Sequence, residues 1–263
     1  VGPSPTIEKP GDDPRGALRG AARAARFPLL SANLVDPRPE PWSRSFTIVV
    51  KDGVKVGIVG GTTDATPATT IADNLEGMKI EKLRVATAQA IRDARTLGAT
   101  LIVLAVHAGG NCKSNVPLTE TSTDDPARCD PSEEVWKLAT HLATDPATRP
   151  DLLLGGHTHR ALTALIAGIP VVQAEPKGRG FATATLEIAR ASGKPTGKFR
   201  IEPSTYTCSH HVEGTQSCPP HAAAATRWVP ATYRGQPLVV DPAVEAVVAP
   251  HLARAEAIAQ SPI

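Results

Sequence analysis

The run Asp151-Leu-Leu-Leu-Gly-Gly-His-Thr-His-Arg160 decides how the rest of the chain is read. Asp151 to Leu154 is a short apolar segment suited to a buried strand, and Gly155-Gly156 ends it. His157 and His159 follow at once, one residue apart, where a tight turn at the strand's carboxyl edge is expected. Imidazole is the commonest nitrogen ligand of zinc, manganese and iron. Two rings so spaced can aim at one metal, or at two metals bridged by a shared ligand. The glycines before them carry no Cβ and let the backbone approach whatever is bound. Many His-x-His pairs sit in surface loops, so a second stretch is needed. Thr100-Leu-Ile-Val-Leu-Ala-Val106 is the longest clean β run, and it ends on His107 followed by Ala108-Gly109-Gly110. Two buried strands, each ending in histidine beside glycines, describe a site at the carboxyl edge of a sheet.

At 263 residues the chain can hold one large domain with a proper core, or two small ones. A net charge of +2 gives no sign of a nucleic-acid polymer or membrane-surface partner. No apolar run reaches the roughly 18 residues that would span a bilayer. The single methionine is Met78, which leads us to expect a processed or cut product. Four cysteines fall as two local pairs, Cys112 with Cys129 and Cys208 with Cys218, in segments rich in Pro, Ser, Thr and Asp. Neither pair has the Cys-x-x-Cys spacing of a zinc ribbon or a thioredoxin-like site. Two disulfides are expected, each worth about 2–4 kcal/mol by loop entropy. They imply an oxidising compartment: periplasm, cell surface or medium.

Residues 1–14 show no periodicity and read as coil, after which Asp12 or Asp13 can cap a helix reaching Arg26. Arg15, Arg19, Arg23 and Arg26 share one face of that helix, either an anion-binding stripe or a solvated face. A strand is expected over Phe27–Leu34. A hairpin follows, Phe46–Lys51 with Val54–Val59 around Asp52-Gly53, then a helix over Glu81–Leu97 stopped by Gly98. Beyond the strand ending at His107 come a helix over Glu133–Ala143 and the β runs Ala161–Ala167, Ile169–Ala174 and Phe181–Ala189, with a short strand over Lys198–Glu202. Trp136 reads as core, and His141 as structural or exposed. Ser204–Gly235 has no sustained periodicity, and His210 and His211 read as loop residues. Asp241 caps and Pro242 begins a last helix with an apolar face.

Val106-His107-Ala108-Gly109-Gly110 and Gly156-His157-Thr158-His159 resemble the last two metal motifs of the calcineurin-like metallophosphoesterases, bacterial 5′-nucleotidase type. Phe27-Pro-Leu-Leu-Ser-Ala-Asn33, Val54-Lys-Val-Gly-Ile-Val-Gly60 and Ala167-Gly-Ile-Pro-Val-Val-Gln-Ala174 agree, in order, from about Arg26 to Ile263. The resemblance implies an α/β fold: a four-layer α/β/β/α sandwich, incomplete at the N-terminus. It implies coil over residues 1–14, a metallophosphoesterase-like domain over 15–203, a disulfide-closed region over 204–240 and a linker helix over 241–263. His107 and His157 would serve one divalent metal, zinc, manganese or similar, and His159 the other. The implied activity is hydrolysis of a small nucleotide or other phosphoester by a metal-activated water.

A pair of divalent cations also needs carboxylates to balance its charge. The family's Asp-x-His and Gly-Asn-His-Glu do not occur here, and Lys9-Pro-Gly-Asp-Asp-Pro-Arg-Gly16 stands where the second would fall. Asp12, Asp13 or Asp36 would have to substitute. Alternatives are a catalytically dead secreted binding module on the same scaffold, a cyclic-nucleotide phosphodiesterase, a nucleotide-sugar hydrolase or a thiosulfate-ester hydrolase. Alkylation without prior reduction should leave all four cysteines unlabelled by mass spectrometry, and labelling after reduction should reach all four; four labelled cysteines in the untreated protein would remove the oxidising-compartment reading.

Overall fold

The computed structural model describes residues 15–37, 42–112, 116–122, 129–213 and 227–260. These fall into two compact units. One holds the residues up to Pro176 together with Ala182–Ser204, and the other holds Lys177–Phe181 with the residues from Thr205 on.

The first unit is built on a six-stranded sheet. Its strands are β1 (Phe46–Lys51), β2 (Val54–Thr62), β3 (Leu101–His107), β4 (Leu152–Leu154), β5 (Leu162–Ile166) and β6 (Ile169–Gln173). Their order across the sheet is β5-β6-β4-β3-β2-β1. The inner strands β2, β3, β4 and β6 run parallel, and each edge strand is antiparallel to its neighbour. The β1–β2 hairpin closes at Asp52 (φ 50°) and Gly53 (φ 81°), both left-handed, as a two-residue type I′ turn requires.

Parallel strands buried on both faces read as continuous apolar runs, and successive residues feed opposite faces. Ile102 and Leu104 face one core and Val103 the other; Leu153 alternates with Leu152 and Leu154 in the same way. In the first core these residues meet Leu83 and Ile91 of helix α2 (Leu83–Thr96) and Val135, Leu138 and Leu142 of helix α3 (Glu134–Ala143). Full burial of each such side chain is worth about 1.5–3 kcal/mol. In the second core, Leu152 and Val172 meet Ala182, Ala184 and Leu186 of β7 (Gly180–Ala189) and Phe199 and Ile201 of β8 (Lys194–Tyr206). With Leu118–Thr119, β7 and β8 form a three-stranded sheet. The result is the mixed α/β sandwich that the resemblance implies. Helix, sheet and sheet are three of its four layers, seen among the described residues.

Several elements differ from the sequence expectation. Phe27–Leu34 is not one strand: Leu29–Leu30 and Leu34–Val35 are separate short strands with a turn between them. The cause is Asn33, fully buried, whose side-chain Nδ2 donates to the carbonyls of Thr62 (2.7 Å) and Glu81 (3.2 Å) while its Oδ1 accepts from Thr62 N–H (2.9 Å). Closing those bonds turns the chain. Gly60 lets Leu30 pass, since a Cβ there would lie 2.3 Å from the Leu30 carbonyl oxygen. The first helix, α1 (Gly16–Ala24), ends before Arg26, and its proposed caps Asp12 and Asp13 lie outside the described residues. Lys198–Glu202 is the middle of the much longer β8.

In the second unit, His210–Val212 pairs with Trp228–Pro230, so His210 and His211 lie on a strand and not in an irregular loop. Phe181 meets the edge of Tyr233 at 5.0 Å between centroids. Helix α4 (Pro242–Ala259) is capped by Asp241, whose carboxylate accepts from Ala243 N–H (2.8 Å) and Val244 N–H (3.3 Å), as the sequence suggests. Cys112 and Cys129 are disulfide-bonded, and so is Cys208, whose expected partner Cys218 lies outside the described residues.

Asp151 fixes where β4 begins. Its Oδ2 accepts from Ile102 N–H at 2.7 Å, and Arg95 stands 3.8 Å away. Burial raises its carboxyl pKa more than the Ile102 bond and the nearby Arg95 and Arg149 lower it. Asp151→Ala leaves the Ile102 amide unpaired and should lower unfolding free energy by about 1–3 kcal/mol in urea titrations; an unchanged midpoint would show that this bond does not anchor the strand.

Candidate functional site

Three parallel strands deliver the site to one edge of the sheet. Thr62 at the end of β2 stands beside His107 at the end of β3, and Ala105 pairs with Leu154, after which the chain turns through Gly155-Gly156 to the other histidines. His157 Nδ1 lies 3.1 Å from His107 Nε2, with the rings edge-on and their centroids 4.9 Å apart. His157 (φ 78°) and His159 (φ 57°) both adopt left-handed backbone. Such conformations cost about 1–3 kcal/mol each in a non-glycine residue, and they cluster where geometry serves a site.

The turn is held from below by residues the sequence did not single out. Gln173, almost fully buried at the end of β6, donates through Nε2 to Thr158 Oγ1 (2.9 Å) and to the Arg160 carbonyl (2.6 Å). Thr158 Oγ1 in turn donates to the Gly110 carbonyl at 2.9 Å. A threonine between two histidines and a glutamine ending an apolar strand are the only traces of this brace in the sequence. Gly109 has no room for a side chain: a Cβ there would lie 2.0 Å from Gly156 O and 2.6 Å from Thr158 Oγ1.

Glu134, in the first turn of α3, also went unremarked in the sequence. It accepts from Thr63 Oγ1 (2.6 Å) and Asp64 N–H (2.8 Å), and Asp64 Oδ1 accepts from Leu83 N–H (2.8 Å) at the start of α2. One chain of bonds therefore ties the loop after β2 to both helices beside the site. The His107 pKa lies below its ordinary 6.5, chiefly because burial disfavours the cation, then because His157 and His159 repel it; Glu134 opposes both. His107 thus favours the neutral form, with a lone pair to give.

Two imidazole nitrogens on one tetrahedral zinc ion, each about 2.0–2.1 Å from it, would lie roughly 3.3 Å apart. The observed separation is 3.1 Å, a little shorter, and is that of a direct hydrogen bond between the two rings. Among the described residues no group of three or more His, Cys, Asp or Glu side chains is arranged to hold a metal ion. His159 is near enough to act on His107 electrostatically. Of the substitute carboxylates, Asp12 and Asp13 lie outside the described residues, and Asp36 is buried against Arg19 at 3.6 Å. His141 is exposed on α3, as expected, and Trp136 packs against the first core.

The same architecture occurs in solved structures. Calcineurin-like phosphoesterase YfkN from Bacillus subtilis superposes with a TM-score of 0.54 at 21% identity, over 72% of this chain and 59% of that one. The chain has the calcineurin-like phosphoesterase fold. A 5′-nucleotidase precursor from Thermus thermophilus shares it at a TM-score of 0.52 and 19% identity, over 72% of this chain and 36% of that one. NAD nucleotidase from Haemophilus influenzae shares it at 0.56 and 14%, over 93% of this chain and 44% of that one. Cell wall protein Lmo0130 of Listeria monocytogenes is 27% identical over 168 residues, 63% of this chain. The chain thus spans about a third of the nucleotidase and about a fifth of the cell wall protein. No family model matches. Within this calcineurin-like fold, the histidines stand on the strand ends and glycine turns described above.

His107 should titrate below 6.5 by NMR, and His157→Ala should move its pKa upward by removing the neighbouring charge. A depressed folded value means the unfolded chain binds the proton first, so the stability linked to His107 is present above pH 6.5 and lost as pH falls through the folded pKa. A His107 pKa unmoved by His157→Ala would show that the two rings do not interact in solution.

Proposed function

We propose that the chain is a hydrolase of small phosphoesters, with nucleotides as the substrate class, and that it depends on a divalent metal ion. The observation that carries this reading is the 3.1 Å approach of two imidazole nitrogens at the carboxyl ends of parallel strands. The calcineurin-like fold and its nucleotidase neighbours support the hydrolase class. His107 and His157 would hold a cation between Nε2 and Nδ1, and His159 would complete the set or serve a second ion. When bound, such an ion polarises a phosphoryl oxygen and lowers the pKa of a coordinated water. The protein's own part is to fix the His157–His159 turn through Gln173 and Thr158, and to keep Gly109 clear of the approaching backbone. Among the described residues no further His, Cys, Asp or Glu gathers with these imidazoles into a group that could hold a metal ion, so this reading asks for one ion on His107 and His157 and not for a carboxylate-bridged pair.

The disulfides support a location outside the cytoplasm, as does the likeness to a cell wall protein. No helix among the described residues is long and apolar enough to cross a membrane.

A second reading is a binding module without catalysis. It is favoured by the hydrogen bond that His107 and His157 can make directly to each other, which satisfies both rings without a cation. Elemental analysis after dialysis and a hydrolysis assay separate the two. On the first reading the protein retains stoichiometric metal, hydrolyses a generic phosphodiester and a 5′-mononucleotide when manganese is added, and loses both properties by at least about ten- to a hundredfold in His107→Ala and His157→Ala. Metal content and turnover indifferent to both substitutions would leave only the binding module.

A further inference from the structure

The arginine stripe of α1 divides in the folded protein. Arg15 turns away and donates to the Glu76 carbonyl, whereas Arg19, Arg23 and Arg26 line a cavity of about 540 Å³. Arg44 joins them from a different element: the short strand Ser43–Arg44 runs parallel to Leu29–Leu30, with Arg44 opposite Leu30, which brings its side chain to the same wall. Phe27, 67% exposed, and Trp42 complete the wall, and among the described residues no carboxylate lines it. Arg19 pairs with Asp36 behind the cavity. Arg23, Arg26 and Arg44 have no side-chain hydrogen bond or ion pair among the described residues.

Guanidinium groups do not deprotonate, so this concentration of charge cannot be relieved by titration. A cavity of this volume is on the order of 10 Å across, comparable to the Debye length at physiological salt, so solvent ions only partly screen its arginines from one another. A solvated helix face disperses its charges. Here three elements of chain, α1, the turn after it and the Ser43–Arg44 strand, gather theirs around one space. Planar forks of this kind match phosphate oxygens in pairs, and several forks match several phosphates.

We propose that this cavity is a binding site for a small oligophosphate, its phosphates held by Arg23, Arg26 and Arg44, and that it is separate from the histidine site. The aromatic rings beside the arginines suit a nucleoside attached to those phosphates, since rings stack without sequence preference. Trp42 also lines the neighbouring cavity, of about 560 Å³, whose wall includes His107.

The test uses the whole chain, dialysed against a chelator so that metal at the histidines plays no part. Sodium tripolyphosphate and ATP are titrated separately by calorimetry. Wild-type protein and His157→Ala should bind tripolyphosphate equally. Arg23→Gln combined with Arg26→Gln should weaken binding by at least about tenfold, and raising salt from about 50 to about 200 mM should weaken it further in the wild type. Arg23, Arg26 and Arg44 are exposed, so unchanged melting curves are expected. Arg44→Gln, on a different strand, should weaken binding in the same direction. If Phe27→Ala weakens ATP but not tripolyphosphate, the ligand is a nucleotide; if it weakens neither, an inorganic oligophosphate. Equal binding by the arginine variants and the wild type, or loss of binding in His157→Ala, overturns the proposal. Because metal is absent throughout, either result leaves the hydrolase reading to stand or fall on its own experiment.

Discussion

No side chain fits at position 109. The carbonyl of Gly156 passes so close that a single methyl group would collide with it. That contact is where the loop after β3 meets the turn after β4, and the two histidine-bearing segments are joined there by little else than backbone. Gly156 N–H donates to the Ala108 carbonyl at 3.0 Å, Thr158 reaches Gly110, and Val135 N–H at the start of α3 reaches the Gly109 carbonyl. The imidazole contact is the outcome of this backbone approach, not its cause. Side chains of ordinary flexibility placed on loosely packed loops would not hold two ring nitrogens at a fixed separation.

The parallel inner strands make that approach possible. Each must be buried on both faces, which the apolar runs of β2, β3 and β4 provide, and each then ends at the same edge of the sheet. Asn33 and Glu134 do comparable work on the flanks. Both satisfy several backbone or hydroxyl groups with one buried or part-buried side chain, and both connect segments far apart in sequence. Removing such a hub leaves several polar groups unpaired at once, so its contribution exceeds that of a single hydrogen bond.

The elements that a short window of sequence specifies were legible. The Asp52-Gly53 hairpin, the two amphipathic helices beside the sheet, the strand ending at His107 and the Asp241 cap each follow from periodicity or turn chemistry within a few residues. What escaped was set by distant partners. The apolar run Phe27–Leu34 looks like a strand, yet Asn33 breaks it by bonding to Thr62 and Glu81. Gln173 lies fifteen residues from the threonine it holds, at the end of a run whose other members are simply core. The pairing of His210–Val212 with Trp228–Pro230 spans a stretch without period. Among the site residues, the histidines were legible because imidazoles beside glycines at strand ends are a local pattern, whereas their supporting side chains acquire meaning only after folding.

The left-handed backbone at His157 and His159 restricts what evolution or an engineer can place there. Branching at Cβ is poorly tolerated in that region, while Asn, Asp and Gly enter it with least strain. Replacements that keep the turn intact are therefore biased toward small amides and carboxylates, themselves oxygen donors. A lineage losing these imidazoles by drift would tend to exchange nitrogen donors for oxygen donors without first losing the loop.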